Sequence, residues 1–477
     1  MTRQTLWHEG ASGAETDGTA VPSRVEVAVV GAGITGLTTA VLLARAGFSV
    51  AVLEARTVAG STTGASTAKV SLLQGTTFTS IARHHPPSVI STYVEANRAG
   101  QDWLSSFCET SGVEVQRRHA VTFAVTEQGE RAARQELALA RDAGLPVTWA
   151  GELDLPFGTR GGVQLADQLQ TDPVAVAQAL VREARAHGAT VHEHVRALQV
   201  SGDQPALVET GSGVLQADRV VLATGMPILD RGGYFARMEA RRSYLMAFRG
   251  VQGPPSGMYL SAEQPSRSLR EVRRGEEQLL LVGGAGHATG RTRSELDHLD
   301  QLRAWTRRWW PRAEETHAWS AQDHTTSHAL PFAGPLQPGA QHLLVAGGFA
   351  KWGMTNGVAS ALALAARVTG ERLDWAAIFE PWRRSELSGL GTVVRFNAAV
   401  GVELARGWMR LDVAHRAEPV SAPDGLSRVC THLGGKVKWN DAEQTWDCPL
   451  HGSRFDADGT VLNAPATCGL RRRTSTE

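Results

Sequence analysis

VEVAVVGAGITGLTTAVLLARAGFSVAVLEA, residues 25–55, decides the fold. VEVAVV (25–30) is a β-branched run that reads as a buried strand. A helix follows it, and SVAVLEA (49–55) reads as a second strand. Gly31-Ala32-Gly33-Ile34-Thr35-Gly36 falls at the strand-to-helix turn. Gly31 permits the tight turn, Gly33 lets backbone approach a pyrophosphate, and Gly36 lets the helix pack on the strand. The helix start offers free amides and the positive end of its dipole to phosphate. Glu54 ends the next strand, 18 residues beyond Gly36, placed to accept from ribose hydroxyls. In this strand–helix–strand–acid frame the glycine turn is a strong dinucleotide signal.

Further strands are predicted at 120–125, 189–195, 218–225, 243–248, 277–284 and 342–348, with helices at 173–188, 293–310 and 356–369. Strand–helix alternation around a strand-rich middle predicts an α/β chain. A Rossmann-like domain is interleaved with a mixed-sheet α+β domain, and a small all-β segment follows at the C-terminus. Residues 1–24 read as a loose lead-in. Residues 25–375 form the interleaved pair. Its nucleotide-binding parts lie at about 25–110, 160–235 and 325–375, and its second-domain parts at about 111–159 and 236–324. Residues 376–412 read as a helical connector and 413–477 as the short C-terminal domain.

Lys+Arg and Asp+Glu both number 48, which gives no pointer to nucleic acid or an anionic membrane surface. No apolar run approaches the roughly 18 residues of a membrane span. The start lacks a secretory pattern, so a cytoplasmic protein is expected. Cys108, Cys430, Cys448 and Cys468 make no disulfide framework, and Cys108 reads as a small buried hydrophobe.

Cys430-Thr431-His432 and Cys448-Pro449-Leu450-His451 form C-x-H…C-x-x-H with 15 residues between the pairs. Tetrahedral zinc is the competing metal. Each pair mixes one Cys with one His, however, which suits two thiolates on one iron and two imidazoles on the other. Asp323-His324…His328 invites a two-His-one-carboxylate iron reading, although its spacing reaches no second carboxylate. His192 and His194 read as surface residues of one strand.

Five segments together resemble the D-amino-acid-oxidase-like (DAO) FAD-dependent oxidoreductases, from about Leu6 to Pro381. They are VVGAGITGLTTAVLLARAG…VLEA (29–55), GSTTGASTAKV (60–70), VVLATG (220–225), WSAQD (319–323) and GFAKWGMTNGVAS (348–360). The resemblance implies FAD, with cofactor roles for Gly31, Gly33, Gly36, Glu54, Thr62, Thr63, Ser66, Gly225, Gly353, Met354 and Thr355. It makes WSAQD a turn lining the flavin pocket and nominates Lys69, Tyr244, His287, Lys351 and Trp352 as pocket residues. Lys69, Tyr244, His287 and Lys351 are the catalytic candidates, and Arg242 is a candidate partner for a substrate carboxylate. VGGAGHATG (282–290) is the contender for a nicotinamide site, but the resemblance assigns it to the substrate domain. The flavin is therefore expected to be reduced by an organic substrate.

CTHLGGKVKWNDAEQTWDCPLHGSRFDADGTVLNAPA (430–466) resembles a Rieske subdomain, which implies a [2Fe–2S] cluster on Cys430, His432, Cys448 and His451. Gly435 and Leu450 stand where many Rieske proteins carry a disulfide, and Phe455 stands where they carry a tyrosine. Ser453 keeps a hydroxyl for a cluster sulfide. Fewer donors to sulfur imply a potential in the lower half of the roughly −150 to +300 mV Rieske range. The segment is short, so it either docks on the flavin domain or holds its cluster poorly.

Together these features imply oxidation of a C–N bond in an amine or amino acid, with hydride passing to flavin N5. Electrons then go singly to the Rieske centre and an external acceptor whose identity stays open. No nucleic-acid or membrane partner is expected. The alternatives are a flavin–Rieske reductase serving a partner oxygenase, and a non-catalytic redox-responsive protein.

Overall fold

The computed structural model describes residues 5–202, 204–409, 423 and 425–472. The expected boundary between connector and C-terminal domain, 412/413, lies outside the described residues.

The first sheet has eight strands. Six run in the order Phe332–Pro335, Leu343–Gly347, Gly213–Gly225, Arg24–Val30, Val50–Leu53 and Thr190–His192; Ala206–Thr210 and Ala197–Ser201 extend it from Gly213–Gly225. Its centre is parallel, with Val27 opposite Val50 on one side and Arg219 on the other. Parallel strands are covered on both faces, which is why Val-rich runs build them. Val27, Ala28, Val29, Val52 and Val220 are wholly buried. Helix Ile34–Arg45 packs against helices Gly353–Thr369 and Pro173–Ala186.

The second sheet has nine strands. It is antiparallel except where Met258–Ser261 runs parallel to Val115–Phe123, so it is mixed, as expected. The third is a four-stranded meander of Lys438–Asn440, Thr445–Asp447, Arg454–Phe455 and Val461–Asn463. No described helix is long and apolar enough to cross a membrane.

Three expectations need correction. WSAQD is no turn, because it lies inside the strand Glu314–Thr326, paired along its length with Met238–Arg249. VGGAGHATG needs none: most of it continues the strand Glu277–Ala288 of the second sheet, in line with its assignment to the substrate domain. The described part of the lead-in is anchored: Leu6 and Trp7 are buried, and the Trp7 indole donates to the Ser66 carbonyl at 2.9 Å. His192 is buried in a strand that ends there, whereas His194 is exposed in a left-handed turn.

The small C-terminal sheet has its own core around Trp446, Phe455, Leu426 and Val461. It also docks on the two larger sheets. Arg242, wholly buried, reaches Glu443 at 2.8 Å and Asp447 at 3.5 Å. Arg196 donates to the Val461 carbonyl at 2.6 Å, and Arg291 to that of Pro449 at 2.8 Å. This docking adds buried contacts that 50-odd residues lack alone.

Candidate functional site

A cavity of about 280 Å³ runs from the glycine turn to the mixed sheet. At its first end Gly31 adopts φ +109°, and a Cβ there would lie 2.7 Å from the Ala223 carbonyl oxygen. A Cβ on Gly36 would lie 2.0 Å from the Gly31 oxygen, so this glycine seats the helix beneath the turn rather than lining the cavity. The amides of helix Ile34–Arg45 open toward the cavity, with Thr63 Oγ1 accepting from Ile34 N–H at 3.0 Å. Glu54 accepts from the Ala32 and Arg56 amides at 2.9 and 2.8 Å, which fixes its carboxylate at the wall. This combination of a close-approach turn, a helix start and a fixed acid fits a dinucleotide.

Thr62, Thr63, Ser66, Gly225, Gly353 and Met354 also line the cavity. Thr355 does not: its buried hydroxyl accepts from Gln74 Nε2 at 3.0 Å. Lys69 lines the cavity, but its ammonium donates to the Tyr259 carbonyl at 2.8 Å and to Ser268 Oγ at 2.7 Å. Burial first, then Arg270, pulls its pKa well below the ordinary value. Tyr244 lines the cavity, whereas His287 stands outside it, 3.1 Å from the Tyr244 hydroxyl and stacked on His298. Burial lowers His287 to about 4, which keeps it neutral as a support for Tyr244.

Lys351 is presented by a left-handed pair, Ala350 at φ +49° and Lys351 at φ +76°. Such backbone costs about 1–3 kcal/mol per residue and persists only where neighbours impose it. Asp323 accepts the Lys351 N–H, and the Ala350 amide donates to the His324 carbonyl at 3.0 Å. Lys351 faces the open cavity among enough protein that lost hydration, then Arg241, lowers it to about 8. Burial raises Asp323 to about 6 against the pull of the Lys351 and His324 amides.

Arg242 does not meet a substrate carboxylate, because its guanidinium points away from the cavity into Glu443 and Asp447. Its neighbour Arg241 lines the cavity instead, with Ser243 and Leu245. Pairing with Glu277–Ala288 is irregular between Arg242 and Tyr244, a bulge hidden from sequence alternation. Leu462, Asn463 and Ala464 of the C-terminal segment complete the cavity wall, another contribution that no local motif announces.

Cys430 and Cys448 share a hydrogen bond that, with one from Ser453, holds the Cys430 thiol below its ordinary pKa. The His432 and His451 rings lie 5.2 Å apart, centroid to centroid. Among the described residues no single point gathers three or more metal-binding side chains. The donors instead form a sulfur pair and an imidazole pair, as a binuclear cluster requires and tetrahedral zinc does not. His451 Nδ1 is buried without a hydrogen-bond partner, and His432 Nε2 is taken by Asp230, so each imidazole keeps a nitrogen for iron. A Cβ on Gly435 would lie 2.6 Å from the Leu450 side chain, so a packed glycine–leucine contact stands in the disulfide's place. The Asp323-His324…His328 grouping forms no metal site among the described residues.

The family model for FAD dependent oxidoreductases (DAO) matches residues 26–367, and that for the Rieske [2Fe-2S] domain matches 422–472. The chain therefore belongs to the DAO family of FAD-dependent oxidoreductases and carries a C-terminal Rieske domain. Its cofactors are FAD and a [2Fe–2S] cluster. YhfW of Bacillus subtilis (strain 168), named provisionally as a Rieske 2Fe-2S iron-sulfur protein, is 31% identical over 94% of this chain and 93% of its own length. Glycine oxidase from Geobacillus kaustophilus aligns at TM-score 0.64 and 19% identity, covering 76% of this chain and 100% of that one. L-proline dehydrogenase from P. horikoshii aligns at TM-score 0.64 and 16% identity, covering 76% and 98%.

Proposed function

We propose that the protein oxidises the C–N bond of an amine or amino acid, and that the electrons leave through its own Rieske centre to an external acceptor. One observation carries the reading: Leu462–Ala464 of the Rieske segment form part of the cavity wall that also holds Arg241 and Lys351. When bound, FAD supplies a two-electron acceptor and the cluster a one-electron relay.

The chain's part is to bind, orient and exclude water. Arg241 offers a guanidinium to a substrate carboxylate. Lys351, held in place by Asp323, positions a cation at the start of helix Gly353–Thr369. Tyr244, backed by neutral His287, shapes the apolar wall. Lys69, fixed by two hydrogen bonds, is a positioning residue. The glycine turn, Glu54, Thr62, Thr63 and Ser66 would hold the dinucleotide, with Gly225, Gly353 and Met354 lining the rest of the cavity and Thr355 buried behind it. The names of glycine oxidase and L-proline dehydrogenase support an amino-acid substrate.

The test is anaerobic mixing of the purified holoenzyme with an amine and amino-acid panel, following flavin absorbance. Bleaching by one or more members supports the reading. Bleaching by NADH alone, with none from the panel, overturns it in favour of a reductase.

A further inference from the structure

Asp230 sits on a turn that begins in the cavity wall. Gly225 and Ile228 line the cavity, and two residues on, Asp230 Oδ1 accepts from His432 Nε2 at 2.5 Å. Phe235, on the short helix Tyr234–Arg237, sets its ring against both cluster imidazoles, with centroids 5.9 and 5.1 Å away. The His432 side chain is 6% exposed, and His451 is 4% exposed. Flavin-domain residues thus close the imidazole edge of the cluster site.

We propose that Asp230 is a positioning residue that fixes the His432 ring and lowers the cluster's reduction potential. Reduction adds one electron, hence one negative charge, to the iron pair, and it requires no proton. A carboxylate hydrogen-bonded to a ligand imidazole repels that charge and favours the oxidised form. Arg291, which opposes Asp230 electrostatically at His451, is itself paired with Glu239 at 3.1 Å. The Asp230 side chain is 54% exposed, so its pull is partly screened and weakens with salt. The same exposure makes substitution there tolerable to the fold.

The proposal rests on the reading that this cluster drains the cavity, but its test needs no substrate. The holoenzyme is titrated with chemical mediators, and the cluster's midpoint is followed by its electron paramagnetic resonance signal. Asp230→Asn keeps a hydrogen-bonding side chain and removes the charge; the midpoint is expected to rise, by less at high salt. Asp230→Glu is expected to return it toward the native value. A midpoint in Asp230→Asn that is unchanged or lower overturns the proposal. That failure would leave the C–N oxidation reading standing, and an unresponsive substrate panel would leave this one standing.

Discussion

Asn463, on the last Rieske strand, donates its side-chain amide to Ser61 Oγ at 2.9 Å, tying the cluster domain to the loop that walls the FAD cavity. Asn463→Ala removes one tie between the domains and is expected to weaken FAD binding about 2- to 10-fold, the worth of one ordinary hydrogen bond. Flavin fluorescence on dilution measures it. An unchanged affinity would mean that the Rieske strand borders the cavity without helping to hold its contents.

Arg241 and Arg242 should separate cleanly despite being neighbours. Arg242→Met leaves Glu443 and Asp447 with Arg454 as their remaining cation and should cost about 1.5–3 kcal/mol, read as a lower unfolding temperature. Arg241→Met should leave stability nearly unchanged and raise KM for carboxylate-bearing substrates about 10- to 100-fold. The opposite pattern would restore the assignment made from sequence.

That pair also shows where sequence reading stops. The glycine turn, Glu54 and the two Cys–His pairs were legible because each lies within a short segment whose spacing is itself the geometry. The inward phase of 238–249 was not legible, because the irregular pairing between Arg242 and Tyr244 depends on the facing strand. WSAQD reads as a turn until its twelve-residue partner is known. The docking of the Rieske sheet rests on contacts such as Gln322 Nε2 to the Gly452 carbonyl, at 2.8 Å across 130 residues. Only the shortness of the segment hinted at it.

Gly435 and Leu450 make a testable substitute for a disulfide. Gly435→Ala should destabilise the cluster domain by about 1–3 kcal/mol through overpacking against Leu450. Gly435→Ala with Leu450→Ala should be better tolerated than the sum of the singles. Thermal loss of the cluster's visible circular dichroism reports both. Strict additivity would show that the two side chains do not bear on each other.

Acid should weaken the fold through buried neutral histidines. Burial lowers His324 from 6.5 to about 4. The folded state therefore binds the proton less readily than the unfolded one. The stability present above pH 6.5 is lost as pH falls toward 4, by about 3 kcal/mol for this residue. His324→Leu should flatten the decline of unfolding temperature across that window, and an equally steep decline would assign the effect elsewhere.

Rapid anaerobic mixing with a reducing substrate, quenched at intervals for electron paramagnetic resonance, tests most directly whether electrons cross within one chain. The expected result is a reduced-cluster signal that follows flavin bleaching at a rate independent of protein concentration. A cluster that stays oxidised while the flavin is fully bleached, or one whose reduction rate scales with protein concentration, would contradict it.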